Sequence, residues 1–404
     1  METIVFLGSH KSGSSQDAFE AAERLGYFTV LLSNRAVFLQ KRQDFPHIHE
    51  TIETNIDDLD DIHRKLELLK SQSKRVIAII SFIDPYVHTA AKLGRELGLP
   101  HQTVSALAKM LDKVAMRDLL KDAGYCPFYA TVMSPELDKH LPIIVKYPQS
   151  NGSKDVLLAR SPSEIEKSVQ YLSNRHPNGQ LLFEEFIGGP QYLVEVLVDN
   201  GEPRIIAIVE QTITKEQRFI VTGYRIRPHV TPSLEHKVSK MVQTIVEKTG
   251  MVQGALHIEF KDTRTGCKVI EVNPRISGSS MNRMIQHAFG INLVEETLKS
   301  LLRMNPDTDR KYERDLFAQY VTIQEKGVLE KITGRHRARR VPGVVEVYAK
   351  PRMGTFLRPA LSMGQRYAYV IAVGNSAEQA EVSAKTGAKM IRFHLAPKVK
   401  GYGR

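Results

Sequence analysis

Two strand-like runs, GALHIEF and CKVIEVNPR, bring together residue types that handle charge: Glu259, Glu271, Asn273 and Arg275. Two carboxylates and an amide oxygen form a hard-oxygen set suited to magnesium. Such ions hold nucleotide phosphates and neutralise charge during phosphoryl transfer. Arg275, fixed just beyond Pro274, offers a planar fork to a phosphoryl group or a carboxylate. Any one of these alone reads as a solvated strand-end residue. All four at this spacing indicate a site.

Side chains alternate along a strand, so Glu271 and Asn273 share one face, as do Ala255, His257 and Glu259. The link Lys261–Gly266 is short enough for a hairpin, which sets Glu259 across from the Glu271 region. Upstream, residues 1–100 alternate strand and helix around the apolar run RVIAIISF, the pattern of a small doubly wound parallel sheet. The loop GSHKSGSS has P-loop glycine spacing at Gly8 and Gly13, but Ser14 stands where the lysine belongs. It is therefore read as a polar loop facing a neighbouring domain's ligand, with Asp84 and Pro85 as a substrate wall. A helical stretch from Val104 to Gly124 and short strands at Tyr129–Val132 and Ile143–Lys146 follow. After them come the polar loop QSNGSKD, the strand LLFEEFIGG and a hairpin turning at Asn200–Gly201. A helix over Ser280–Leu302 precedes a smaller β-rich segment.

At 404 residues, 42% hydrophobic and 25% charged, the composition is that of an ordinary globular protein of two to four structural units. No window is long and apolar enough for a membrane span, and the start does not read as a signal peptide. Cys126 and Cys267 have no metal-site or disulfide spacing, so a reducing, cytoplasmic setting is expected. The net charge of +11 lies wholly in residues 301–404, which hold 20 Lys+Arg against 9 Asp+Glu. Its densest cluster, KITGRHRARR, lacks interleaved aromatics and is read as a solvated loop face rather than a nucleic-acid patch.

Glu259 with Glu271-x-Asn273-Pro274-Arg275 resembles the ATP-grasp superfamily, and the resemblance extends over most of the chain. It implies an α/β and α+β multidomain architecture: an N-terminal Rossmann-like domain (1–103), an ATP-grasp small lobe (104–183), a large lobe with the metal site (184–308) and a C-terminal β-rich domain (309–404). By the same resemblance Lys113 and Lys146 hold ATP phosphates. QSNGSKD is the loop over those phosphates, through Ser150, Gly152 and Ser153, although more glycines are usual there. FEEFIGG is the hinge, where backbone near Glu185, Phe186 and Ile187 pairs with adenine and Glu184 or Glu185 faces the base or ribose. Glu259, Glu271 and Asn273 are then metal ligands and Arg275 is catalytic. Ser277, Gly278 and Ser279 lead into a helix N-terminus suited to a substrate carboxylate. Glu210 is a weaker candidate for a substrate ammonium.

The whole-chain pattern, including the NPRISGSSMN loop, is similar to bacterial L-amino acid ligases. This implies dipeptide formation from two unprotected amino acids through an aminoacyl phosphate. ATP and two magnesium ions are implied, with Mn2+ as a substitute. Small-molecule substrates are the expected partners, with no membrane or nucleic acid, and a homodimer would suit the family. Ligation of another small carboxylate and amine, as in purine synthesis, is the rival within enzymes. Biotin-carboxylase-like enzymes fit less well, because no biotin-carrier lysine motif is present. A nucleotide-binding protein without activity is the remaining alternative.

Overall fold

The computed structural model describes residues 1–150, 152, 154–214 and 219–397. The N-terminal region forms a four-stranded parallel sheet in the order Glu50–Glu53, Phe28–Ser33, Glu2–Leu7, Arg75–Ile80. Its central strands bury almost every side chain, as parallel strands covered on both faces must.

The small lobe is a four-stranded antiparallel sheet in the order Tyr129–Ala130, Leu182–Glu185, Ile143–Lys146, Val156–Ala159. The boundary expected at 183/184 falls inside one of these strands, so Glu184 and Glu185 belong to the small-lobe sheet. The expected helix from Val104 to Gly124 is two helices, Val104–Leu111 and Lys113–Lys121. Asp112 makes the break: its carboxylate accepts N–H bonds from Val114 and Ala115 and caps the second helix.

An eight-stranded antiparallel sheet dominates the molecule. Its order is Gly266–Asn273, Gly254–Thr263, Gln191–Asp199, Glu202–Thr214, Ile220–Ile226, Asp315–Val321, Ala368–Gly374, Val344–Ala349. The last three strands come from beyond the boundary expected at 308/309. The large lobe and the C-terminal segment therefore share one sheet, with a small three-stranded sheet beside it. The helix expected over Ser280–Leu302 is broken into Met281–Phe289 and Leu293–Leu301. Gly290 ends the first in a left-handed conformation and the Asn292 side chain caps the second. The basic cluster is not a loop: it continues the strand Gly327–Thr333 into the short helix Arg335–Arg339. Among the described residues, no helix is long and apolar enough to cross a membrane.

Two seams join these units. At the first, Gly13 adopts φ +81°, and a Cβ there would lie 2.6 Å from the Ser279 carbonyl oxygen. The Ser14 hydroxyl beside it donates to the Ser277 carbonyl at 2.7 Å. At the second, Arg117 of the helix Lys113–Lys121 is fully buried. It donates to Glu184 at 2.6 Å and to the Ile270 carbonyl at 2.6 Å, tying the small lobe to the edge strand of the large sheet. Lys146 pairs with the other oxygen of Glu184. Burial opposes the charge on Glu184, yet Arg117 and Lys146 outweigh it and hold the carboxyl down at about 2.

Gly13→Ala is expected to cost roughly 1–3 kcal/mol through its positive φ and the close approach of Ser279, read as a lower thermal midpoint. For Glu184 the sign follows from a folded pKa below the unfolded one. Its contribution, about 3 kcal/mol, is complete above pH ~4.5 and fades as pH falls towards 2. Denaturant titrations of wild type and Glu184→Gln should therefore differ by several kcal/mol at neutral pH and converge in acid. A gap independent of pH would contradict the assignment.

Candidate active site

The hairpin register confirms the pairing expected from the sequence: Glu259 lies opposite Glu271, and His257 opposite Asn273. Directly opposed residues share a face, so both carboxylates point to the same side; the ladder shifts only beyond them, between Glu259 and Phe260. Lys113 extends from the N-terminus of its helix to Glu271, with Nζ 2.9 Å from Oε1. The same ammonium donates to the Pro148 carbonyl at 2.7 Å, at the root of the polar loop. Burial opposes ionisation of Glu271, but Lys113 prevails and holds its carboxyl below the ordinary range.

Glu259 is held from two sides. Gln191 donates to it at 3.5 Å, and His257 Nε2 lies 3.4 Å away. The other ring nitrogen of His257 is 2.7 Å from Glu195, which is wholly buried. Burial alone would push His257 down, but the two carboxylates raise it to about 10, so it is an imidazolium at neutral pH. Among the described residues no cluster of three or more His, Cys, Asp or Glu side chains could enclose a metal ion unaided. The set present is two opposed carboxylates, with Asn273 two residues further along the strand, opposite His257 and outside the cavity lining described below. That suits magnesium, which is commonly held by one or two carboxylates with phosphate oxygens and waters completing its shell.

A cavity of about 160 Å³ lies between this face and the small lobe. Lys113, Lys146, Ser150, Gly152, Glu184, Glu185, Phe186, Ile187, Glu259 and Glu271 all line it. Ser150 donates its hydroxyl to Asp155 at 3.0 Å. Ser153 lies outside the described residues. In the segment expected to form the hinge, the N–H groups of Glu185 and Phe186 are engaged by the carbonyls of Phe128 and Pro142. Glu184 is committed to Arg117 and Lys146, and Glu185 is without those partners. Burial pushes Lys146 down, with Arg117 adding to the effect, while Glu184 works to keep it charged.

Arg275 is not part of that lining. Its guanidinium forks onto Asp84 of the N-terminal domain, with Nη2 2.6 Å from Oδ2 and Nε on the other oxygen. Pro85 opens the helix Asp84–Glu96 beside this pair. The loop beyond Arg275 is equally tied down: Ser277 N–H donates to Glu195 at 3.2 Å, and the Ser279 and Tyr320 hydroxyls are 3.0 Å apart. Gly278 lies between them. Glu210 sits elsewhere, 3.3 Å from Arg225, which also pairs with Glu381 of the C-terminal segment. This makes Glu210 part of an ion-pair network across the sheet rather than of the cavity wall.

Sequence reading missed Arg117, Glu195 and His257 as members of the site. Only His257 carried a signal, through its shared face with Glu259. Arg117 looks like any arginine of an amphipathic helix. Burial raises both cysteine thiols to about 11, so neither is a thiolate at neutral pH.

Comparison with known proteins finds domain matches in order along the chain. Residues 19–101 match the ATP-grasp N-terminal domain, 139–283 the ATP-grasp domain and 319–396 the L-amino acid ligase C-terminal domain 2. The protein y4rH of Sinorhizobium fredii is 25% identical, over 98% of this chain and 84% of its own length. Carnosine synthase 1 of Mus musculus is 23% identical over 56% of this chain, which spans only 31% of that enzyme. The crystal structure of L-amino acid ligase from Bacillus licheniformis superposes with a TM-score of 0.84 at 19% identity, covering 98% of this chain and 99% of that one. With these three matches arranged along the chain around the cavity described above, the protein belongs to the ATP-grasp superfamily of ATP-dependent carboxylate–amine ligases and carries the C-terminal domain of the L-amino acid ligases.

Proposed function

We propose that this ligase joins two unprotected L-amino acids into a dipeptide through an aminoacyl phosphate, releasing ADP and phosphate. The observation that carries the reading is the match of residues 319–396 to an L-amino acid ligase domain whose strands extend the same sheet that bears Glu259 and Glu271. In this scheme the carboxylate of the first amino acid attacks the γ-phosphorus of ATP, and ADP leaves. The amine of the second then forms the C–N bond as the acyl C–O bond to phosphate breaks.

Each residue has a role that its position supports. Lys113 and Lys146 hold phosphate oxygens, and in their absence are neutralised by Glu271 and Glu184. Phe186 and Ile187 wall the base, with Glu185 toward the base or ribose, and Ser150 and Gly152 border the phosphates. Glu259, Glu271 and Asn273 would hold two magnesium ions, for which manganese would substitute. Bound there, the ions supply neutralising charge to the phosphates. Arg275, fixed by Asp84, offers its remaining N–H edge to charge developing on the transferred group. Ser277 to Ser279 border the donor amino acid, and Glu210 stabilises the strand that supports it.

ADP release should be screened over all pairs of common amino acids with products read by mass. A dipeptide formed in step with ADP is expected. Silence across every pair would overturn this reading in favour of another small carboxylate and amine. Glu271→Gln is expected to retain the fold, since Lys113 keeps its carbonyl partner, and to lower ADP production on the order of 10²–10³-fold. A wild-type rate in that variant would contradict the ligand assignment.

A further inference from the structure

One arginine on the cavity-bearing face of the large sheet has no carboxylate partner among the described residues. Arg366 follows the turn Met363–Gln365, and its guanidinium carbon lies 3.9 Å from the ring centroid of Tyr320. It donates from Nε to the Met363 carbonyl at 3.3 Å. From Nη1 it donates to the Val221 carbonyl at 3.2 Å and the Tyr224 hydroxyl at 3.3 Å. Nη2 has no hydrogen bond among the described residues. The group is thus oriented by neutral oxygens and a ring face and forms no ion pair among the described residues. Lys350, whose ammonium donates to the Gly364 carbonyl of the same turn at 3.1 Å, likewise has no carboxylate partner among the described residues.

The residues around this cation reach three parts of the site. The Tyr320 hydroxyl is 3.0 Å from Ser279, in the loop beyond Arg275. Tyr224 lies on the face that carries Gln191 and Glu259, linked to it by the ladder from Gln191 through Gln211. The Met363 N–H donates to the Gly152 carbonyl at 3.3 Å, so the turn also touches the loop that borders the phosphates. Beside Tyr224, Gln211 is 7% exposed, and neither end of its amide has a partner among the described residues.

We infer that Arg366 binds the carboxylate of the second amino acid, the one that supplies the amine. The inference rests on the proposed dipeptide chemistry. In that chemistry the first carboxylate is consumed, whereas the second stays an anion from binding to product release. It therefore needs a lasting cation that no protein carboxylate already occupies. Arg275, committed to Asp84, does not meet that need, whereas Arg366, stacked on the Tyr320 ring whose hydroxyl reaches Ser279, does. Nε and Nη1 hold the guanidinium in place, and Nη2, without a hydrogen bond among the described residues, is the group that would donate to a carboxylate.

The test compares each amine-donating amino acid with its carboxamide, which keeps the nucleophilic amine and loses the anion. Wild-type enzyme should favour the acid by roughly 10- to 100-fold in KM. Arg366→Met keeps the aliphatic stem on Tyr320 and should abolish that preference. It should raise KM for the acid and leave KM for the amide, for ATP and for the first amino acid unchanged. Arg366→Lys should recover part of the preference. Equal losses for acid and amide, or a raised KM for ATP, would overturn the inference while leaving dipeptide synthesis intact. Failure of the wild type to use any amino-acid pair would overturn both.

Discussion

The architecture depends on keeping opposite charges in register inside a cavity built for a charged ligand. Lys113 faces Glu271, and Lys146 with Arg117 faces Glu184, so the buried cations are neutralised by the protein's own carboxylates. Burying such groups unpaired would cost several kcal/mol each. The pairs are not equivalent. Glu184, enclosed between two cations, is a fixed structural anion. Glu271 holds one lysine and faces Glu259 across the hairpin; under the proposed function, phosphate would take Lys113 and a divalent cation would take its place beside Glu271.

The site draws on all regions of the chain. The small lobe supplies cations and the hinge, and the eight-stranded sheet supplies carboxylates. The N-terminal domain fixes Arg275 through Asp84 and the following loop through Ser14. The C-terminal strands extend the same sheet and return the turn bearing Arg366 to the phosphate-side loop. One continuous sheet carrying these groups would, under the proposed function, supply the positioning on which such catalysis relies.

Much of this was legible in the sequence because period and spacing encode it. Alternation placed Glu259 with His257, and a short link forced Glu259 to face Glu271. The apolar run of Arg75–Ile80 announced a buried parallel strand. The helix breaks at Asp112 and Gly290 had local signals, a capping aspartate and a left-handed glycine followed by Asn292, which apolar periodicity overrode. What remained hidden was non-local. The pairing of Arg275 with Asp84 spans 191 residues. The burial of Arg117 against Glu184, 67 residues away, depends on how the small lobe closes on the large one. Arg366 lies in a turn whose composition gives no hint of the tyrosine faces it covers.

The account's central claim is that this site activates a carboxylate by transferring phosphate to it. Supplying the first amino acid with 18O in its carboxylate and measuring the isotopic mass of the released phosphate tests the claim directly. One labelled oxygen should appear in phosphate for each peptide bond formed, with ADP as the nucleotide product. Unlabelled phosphate, or label recovered in AMP, would contradict it.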